Sequence, residues 1–185
     1  GDFVATGEPL FALHDGAASI ADDRHRAAVA LGPERTLEQD PMFAFRILVD
    51  IALKALSPAI NDPTTAVLAI DQVHRLLKAV GRRYLRGEAI PDASGRPRVL
   101  LRTPDWEDYV HIAFTEIRAC GASSVQIARR LRAMLDDAAT SLPPHRRAAL
   151  DDERRRLDLA LEAHYPIPDD LALARMPDRQ GLGGS

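Results

Sequence analysis

A chain of 185 residues with 46% apolar residues is sized for one domain, or one domain with an appendage. Its formal net charge of −3 gives no global attraction to nucleic acid, and its single cysteine, Cys120, excludes an internal disulfide and a cysteine-based zinc site. Aromatic residues make up only 5%, so the core must come from Leu, Ala, Ile and Val, which favours packed helices over a β-sandwich.

Residues 1–14 read as a short β-hairpin, with Phe3 and Val4 before a Gly7-Glu8-Pro9 turn and Leu10 to Leu13 after it. A lone hairpin is marginal in water, so it reads as a fragment of an upstream β element in a longer protein. A weak helix is expected from about Ser19 to Leu31, stopped by Gly32-Pro33. The first strong helix starts at Asp40 as N-cap and Pro41 at the first helical position, and reaches about Leu56. Arg46, Asp50 and Lys54 form a narrow charged strip, while Met42, Phe43, Phe45, Ile47, Leu48, Val49, Ile51 and Leu53 cover nearly everything else. A helix this apolar is central to a core or shared with a second subunit.

The same start recurs at Asp62-Pro63, and an amphipathic helix follows to about Val80 with Ala66, Ile70, Val73, Leu77 and Val80 on one face. The connection is short, so the two helices should run antiparallel. Residues 87–104 are punctuated by Gly and Pro, with a short strand expected at Val99 to Leu101. Asp105 caps a helix ending at Gly121, a further helix covers about Ser123 to Ala139, and another opens at Pro143-Pro144 and ends near Tyr165. In that last helix Leu150, Leu157, Leu161 and His164 share a face. Asp169 to Met176 adds a last turn or two, and 177–185 reads as a disordered tail.

Two polar groups are candidate ligand sites. The first is Ser57, Asn61, Asp62, Thr64 and Thr65, where a helix start exposes N–H groups to an anion or small ligand. Capping and turn chemistry explain the same residues without a ligand, and the Asp62 carboxylate already occupies the positive pole. The second is Arg35, Glu38, Gln39 and Asp40. About sixteen helical residues, roughly 24 Å, lie between the groups, so one small ligand reaches both only if a second subunit brings them together.

The six histidines show no metal-ligand spacing, and neither a metal nor a cofactor is expected. His111 reads as a surface residue, His74 as a boundary residue and Cys120 as core. Arg129, Arg130, Arg132 and the arginines from Arg146 to Arg156 alternate with Asp and Glu, which reads as a solvated, self-paired surface rather than a nucleic-acid site.

The segment RTLEQDP…LVDIALKALSPAINDPTTA (residues 35–66), together with GDFVATGEPL at the start and the helix from Tyr109 to Gly121, resembles a bacterial family of predicted membrane proteins, the domain-of-unknown-function family 2254. That resemblance implies transmembrane helices before this region, absent from the sequence here, and a soluble C-terminal part of an integral membrane protein. It carries no catalytic residues.

The expected fold is mainly α: an antiparallel bundle of five or six helices over 15–176 with a short N-terminal β-hairpin. The expected role is oligomeric assembly, or ligand or partner sensing, on the cytoplasmic face of a bacterial membrane, as a homo-oligomer and without catalysis. The alternative is a hydrolase or transferase with a polar site around Asn61, Asp62, Glu38 and Asp40.

Overall fold

Seven α-helices and one antiparallel pair of strands form among the described residues, which are 3–14, 16 and 19–182 of a computed structural model. The chain divides into two units, Gly1–Phe43 and Ala44–Ser185.

In the first unit the expected hairpin does not form. Residues 3–14 contain a turn and no strand. The turn falls where Gly7 predicts it, with Gly7 at φ 90°. Glu8 closes it twice, its N–H donating to the Ala5 carbonyl (3.1 Å) and its carboxylate accepting from the Ala5 N–H (2.8 Å). Phe3 is 81% exposed, so no strand face has found a core. Helix α1, Asp22–Ala27, is shorter than the expected 19–31 and buries no residue, so nothing from a core extends it.

The second unit holds the bundle. Helix α2, Pro41–Ala55, starts within the first unit, and α3, Pro63–Gly81, follows it. The strands β1, Ala89–Pro91, and β2, Pro97–Leu100, lie mid-chain. They pair in the register Ala89 to Leu100 and Ile90 to Val99, with a bulge before Pro91. The strand expected near Val99 is therefore present, with a partner that was not foreseen. Helix α4, Trp106–Gly121, begins with a reciprocal capping box between Asp105 and Asp108. Then come α5, Val125–Ser141, a 3-10 turn at Pro144–Arg146, α6, Arg147–His164, and α7, Pro168–Arg175.

Helices α3 to α6 alternate in direction. Gly81 at the end of α3 sits by Trp106 at the start of α4. Gly121 at the end of α4 sits against Ile127 at the start of α5. Asp136 late in α5 pairs with Arg154 early in α6. The predicted stripes are buried: Ile70, Leu77, Trp106, Phe114, Ile117, Leu131 and Leu157 are all 2% exposed or less. Each such side chain contributes roughly 1.5–3 kcal/mol.

The central helix is α5, not α2. Every residue from Ile127 to Leu135 is buried, and α3, α4, α6 and α7 all pack on α5. Helix α2 buries one face, Phe45, Val49, Ala52 and Ala55, while Phe43 and Leu53 are half-buried and Ile47 and Ile51 are 38% and 45% exposed. Cys120 is exposed, because Ile117 and Gly121 take the inward positions at that end of α4. His164 is also exposed, since α6 buries Leu150, Glu153, Leu157 and Leu161.

The chain remains in place beyond Met176. The Asp178 N–H donates to the Arg129 carbonyl (3.1 Å), and the Asp178 carboxylate accepts from the Gln180 and Gly181 N–H groups. Gly181 is buried at φ 66° against Val67. Of the expected tail at 177–185, residues 177–182 make these contacts without forming a helix or strand, and the last three lie outside the described residues.

A Cβ on Gly121 would meet the Ile127 Cγ2 at 2.5 Å and the Leu56 Cδ1 at 3.2 Å, whereas one on Gly87 meets nothing. Gly121→Ala is therefore expected to cost about 1–3 kcal/mol in urea unfolding. Gly87→Ala should stay within about 0.5 kcal/mol. Equal effects at the two glycines would refute this packing.

Candidate functional site

In the first unit, Thr36 starts a turn whose carbonyl accepts from the Gln39 and Asp40 N–H groups. Asp40 then caps α2: one carboxylate oxygen accepts from the Phe43 N–H (3.3 Å) and the other from the Arg35 guanidinium (3.2 Å). Glu38 and Gln39 are exposed. Arg35 and Asp40 are thus brought together as a cap and its counter-ion.

In the second unit, the Ser57 hydroxyl donates back to the Lys54 carbonyl (2.8 Å), and the Ser57 carbonyl accepts from the Ile60 and Asn61 N–H groups. Asn61 adopts the left-handed conformation at φ 47°, which Asn tolerates better than most residues. That reversal lets the Asp62 N–H donate to the Ala55 carbonyl (2.8 Å), closing the loop on the end of α2. Asp62 caps α3, accepting from the Thr65 N–H (3.0 Å) and the Thr65 hydroxyl (2.5 Å). The hydroxyl bond, followed by the backbone bond, holds the Asp62 carboxyl below the usual carboxylate range. Asp62 and Thr65 thus form the N-terminal cap of α3. Thr64 is exposed beside them.

A third polar group, not anticipated from the sequence, lies between α3 and α5. Arg130, expected at the surface, is 5% exposed. Its Nε donates to Asp71 (2.7 Å) and its Nη2 to the His74 Nδ1 (3.0 Å). Because a guanidinium only donates, Nδ1 must accept, and Nε2 carries the proton that His74 donates to Asp137 (2.8 Å). Lys78 donates to the same Asp137 oxygen (2.6 Å). Burial, then the Arg130 charge, pushes the His74 pKa below that of a free imidazole. Burial alone would raise Asp137, but the hydrogen bond and charge of Lys78, with His74, leave it below the ordinary carboxylate range. The sequence did hold a signal. Asp71, His74 and Lys78 share one face of α3, and Arg130 and Asp137, two turns apart, share one face of α5.

The other buried charges follow the same pattern. Arg118 donates to Glu153 (2.6 Å), which is 1% exposed, Arg132 donates to Asp158, and the Arg129 Nε donates to the Met176 carbonyl. Among the described residues, no group of three or more His, Cys, Asp or Glu is placed to hold a metal ion. No helix among them is long and apolar enough to cross a membrane.

Residues 1–137 match the family described as predicted membrane protein, domain-of-unknown-function family 2254. The chain belongs to that family. Uncharacterised proteins of Mycobacterium bovis and of two strains of Mycobacterium tuberculosis are each 32% identical to it over 146 residues. Those alignments cover 78% of this chain and 28% of each mycobacterial protein, so the family member described here spans under a third of its relatives' length. No solved structure matches the chain.

Both shifts in the α3–α5 network make stability depend on pH in the same direction. A histidine whose folded pKa is depressed stabilises the fold fully above its unfolded pKa of about 6.5, and loses that contribution as pH falls through the folded value. Asp137 adds a second loss below about 3.8. The urea midpoint should therefore fall between pH 7.5 and 5. In His74→Gln, whose amide mimics the neutral imidazole, that fall should shrink; an unchanged slope would show that His74 does not cause it.

Proposed function

We propose that this chain is an extramembrane assembly domain of an integral membrane protein, non-catalytic, pairing with a second copy of itself through α2. The observation that carries the proposal is the outer side of α2. Ile47 and Ile51 stand one helical turn apart and exposed, flanked by half-buried Ala44 and Leu48, on a helix whose opposite face is fully buried. Beside this stripe runs a strip of mixed charge, Arg46, Asp50 and Lys54, with Arg46 paired to Asp50 (2.5 Å) and also to Glu116 of α4. An apolar stripe edged by both signs of charge is self-complementary under a two-fold axis, where Asp50 of one copy meets Lys54 of the other.

The capping roles of Asp40 and Asp62 support a non-catalytic reading, because each carboxylate is engaged by the backbone it starts. A cytoplasmic placement is supported by Cys120, whose exposed thiol suits a reducing compartment. The loop at Ser57, Asn61, Asp62, Thr64 and Thr65 and the turn at Arg35, Glu38, Gln39 and Asp40 remain candidate ligand sites, and any ligand there must use groups these caps leave open.

Sedimentation equilibrium at micromolar concentration should give twice the 20.3 kDa of the chain. Ile47→Arg and Ile51→Arg, at exposed positions that leave the fold intact, should each weaken self-association by about 30-fold or more. A strictly monomeric wild-type chain would refute the pairing.

A further inference from the structure

The segment from Arg82 to Arg102 leaves the bundle at the end of α3, forms the β1–β2 ribbon and returns at α4. It has no third strand. Most of its apolar side chains are exposed, with Leu85 and Ile90 half-buried: Leu100 is 71% exposed, Val99 47%, Leu101 41%, and Tyr84 at its root 88%. A two-stranded ribbon of this kind is marginal in water without something packed on it. Its tip is nonetheless held firmly. Asp92 accepts from the Ser94 N–H and hydroxyl, the Arg96 N–H and the Arg98 Nε, which together bring its pKa down to about 2.

The charge of the segment opposes that of the chain. Arg82, Arg83, Arg86, Arg96, Arg98 and Arg102 are all exposed, against only Glu88 and Asp92, in a protein whose net charge is −3. Among the described residues, Arg98 alone of the six forms an ion pair, with Asp92. At the root of the ribbon is an open cleft of about 450 Å³, lined by Arg82, Arg83, Tyr84, Leu85, His145 and Arg146 among others and by no carboxylate. Arg146 is fixed there by stacking on Trp106 (5.2 Å) and by donating to the Arg83 carbonyl (3.2 Å).

We propose that this ribbon and the cleft at its root dock on the surface of an anionic phospholipid bilayer. Leu100, Val99 and Leu101 enter the boundary of the acyl region and Tyr84 sits at headgroup level. The arginines, with the carboxylate-free cleft, take lipid phosphates. The excess of arginine over carboxylate selects an anionic bilayer over a protein groove, and membership of a membrane-protein family places a bilayer within reach. The proposal is independent of pairing through α2, since a monomer would bind the same vesicles.

Vesicle flotation of the 185-residue chain tests it. Vesicles of phosphatidylcholine with about 30 mol% phosphatidylglycerol should retain the chain at least tenfold better than phosphatidylcholine alone, and about 0.5 M salt should weaken that retention. Arg83→Glu with Arg96→Glu should lower the apparent affinity at least tenfold. Leu100→Ser and, separately, Tyr84→Ser should lower it several-fold without any change of charge. These positions are exposed, so thermal melts followed by circular dichroism should match the wild type, and either serine variant alone suffices if the other unfolds. Equal binding to neutral vesicles, binding indifferent to both serine variants, or retardation of an RNA oligonucleotide with no vesicle binding would each overturn the proposal.

Discussion

Three arginines on α5 set the terms for everything packed around them. Arg129, Arg130 and Arg132 are 4%, 5% and 7% exposed. A guanidinium does not lose its charge in a protein, so burying one requires partners in place. Those partners come from separate parts of the chain: Asp71 and His74 on α3 for Arg130, Asp158 on α6 for Arg132, and the Met176 carbonyl after α7 for Arg129. Apolar packing alone would tolerate a helix slipping along its axis. Here a slip of one residue on α5 would turn a buried guanidinium away from its partner and leave that charge unpaired.

The chain past α7 also packs against α5. Asp178 and Gly181 belong to a short polar segment with no helix or strand of its own, yet both are buried. The segment is tied to α5 through the Arg129 carbonyl and the Gln126 side chain, and Gly181 fits against Val67 because it has no side chain and tolerates φ 66°. On the opposite flank, Arg118 and the 1% exposed Glu153 link α4 to α6 in the same manner. His74 sits among these charges as a neutral connector, able to accept from a cation and donate to an anion at once.

Helix positions were legible because caps and punctuation are local. Asp40-Pro41, Asp62-Pro63 and Asp105 predicted three helix starts, and Gly121 one helix end, each set by backbone chemistry within a few residues. The two candidate turns, at Arg35 to Asp40 and Ser57 to Thr65, were legible as turns for the same reason. What failed depended on partners distant in sequence. Alternating Arg and Asp is a solvated, partly self-paired surface on α6, where exposed Arg155 pairs with Asp152, but not on α5; i,i+4 pairing within a helix and pairing between helices leave the same pattern. Arg130 finds Asp71 59 residues away, and no periodicity records that. The N-terminal hairpin failed for the converse reason: its turn formed from local bonds, while its strands find no partner among the described residues. Helix α2, expected to be either central to a core or shared with a second subunit, buries one face only, and composition alone does not say which neighbours reach each side.

On α5 charge expected outside lies inside, and on α2 part of a strongly apolar surface lies outside. Scattered exposed apolar residues carry little information, but a buried charge and a contiguous exposed apolar strip do. In this molecule α5 carries the first, and α2 and the β1–β2 ribbon carry the second. Two exposed apolar surfaces of different character thus stand on α2 and on the ribbon. One is straight and edged with both signs of charge, as suits a second copy. The other is a ribbon flanked by arginine, as suits an anionic interface.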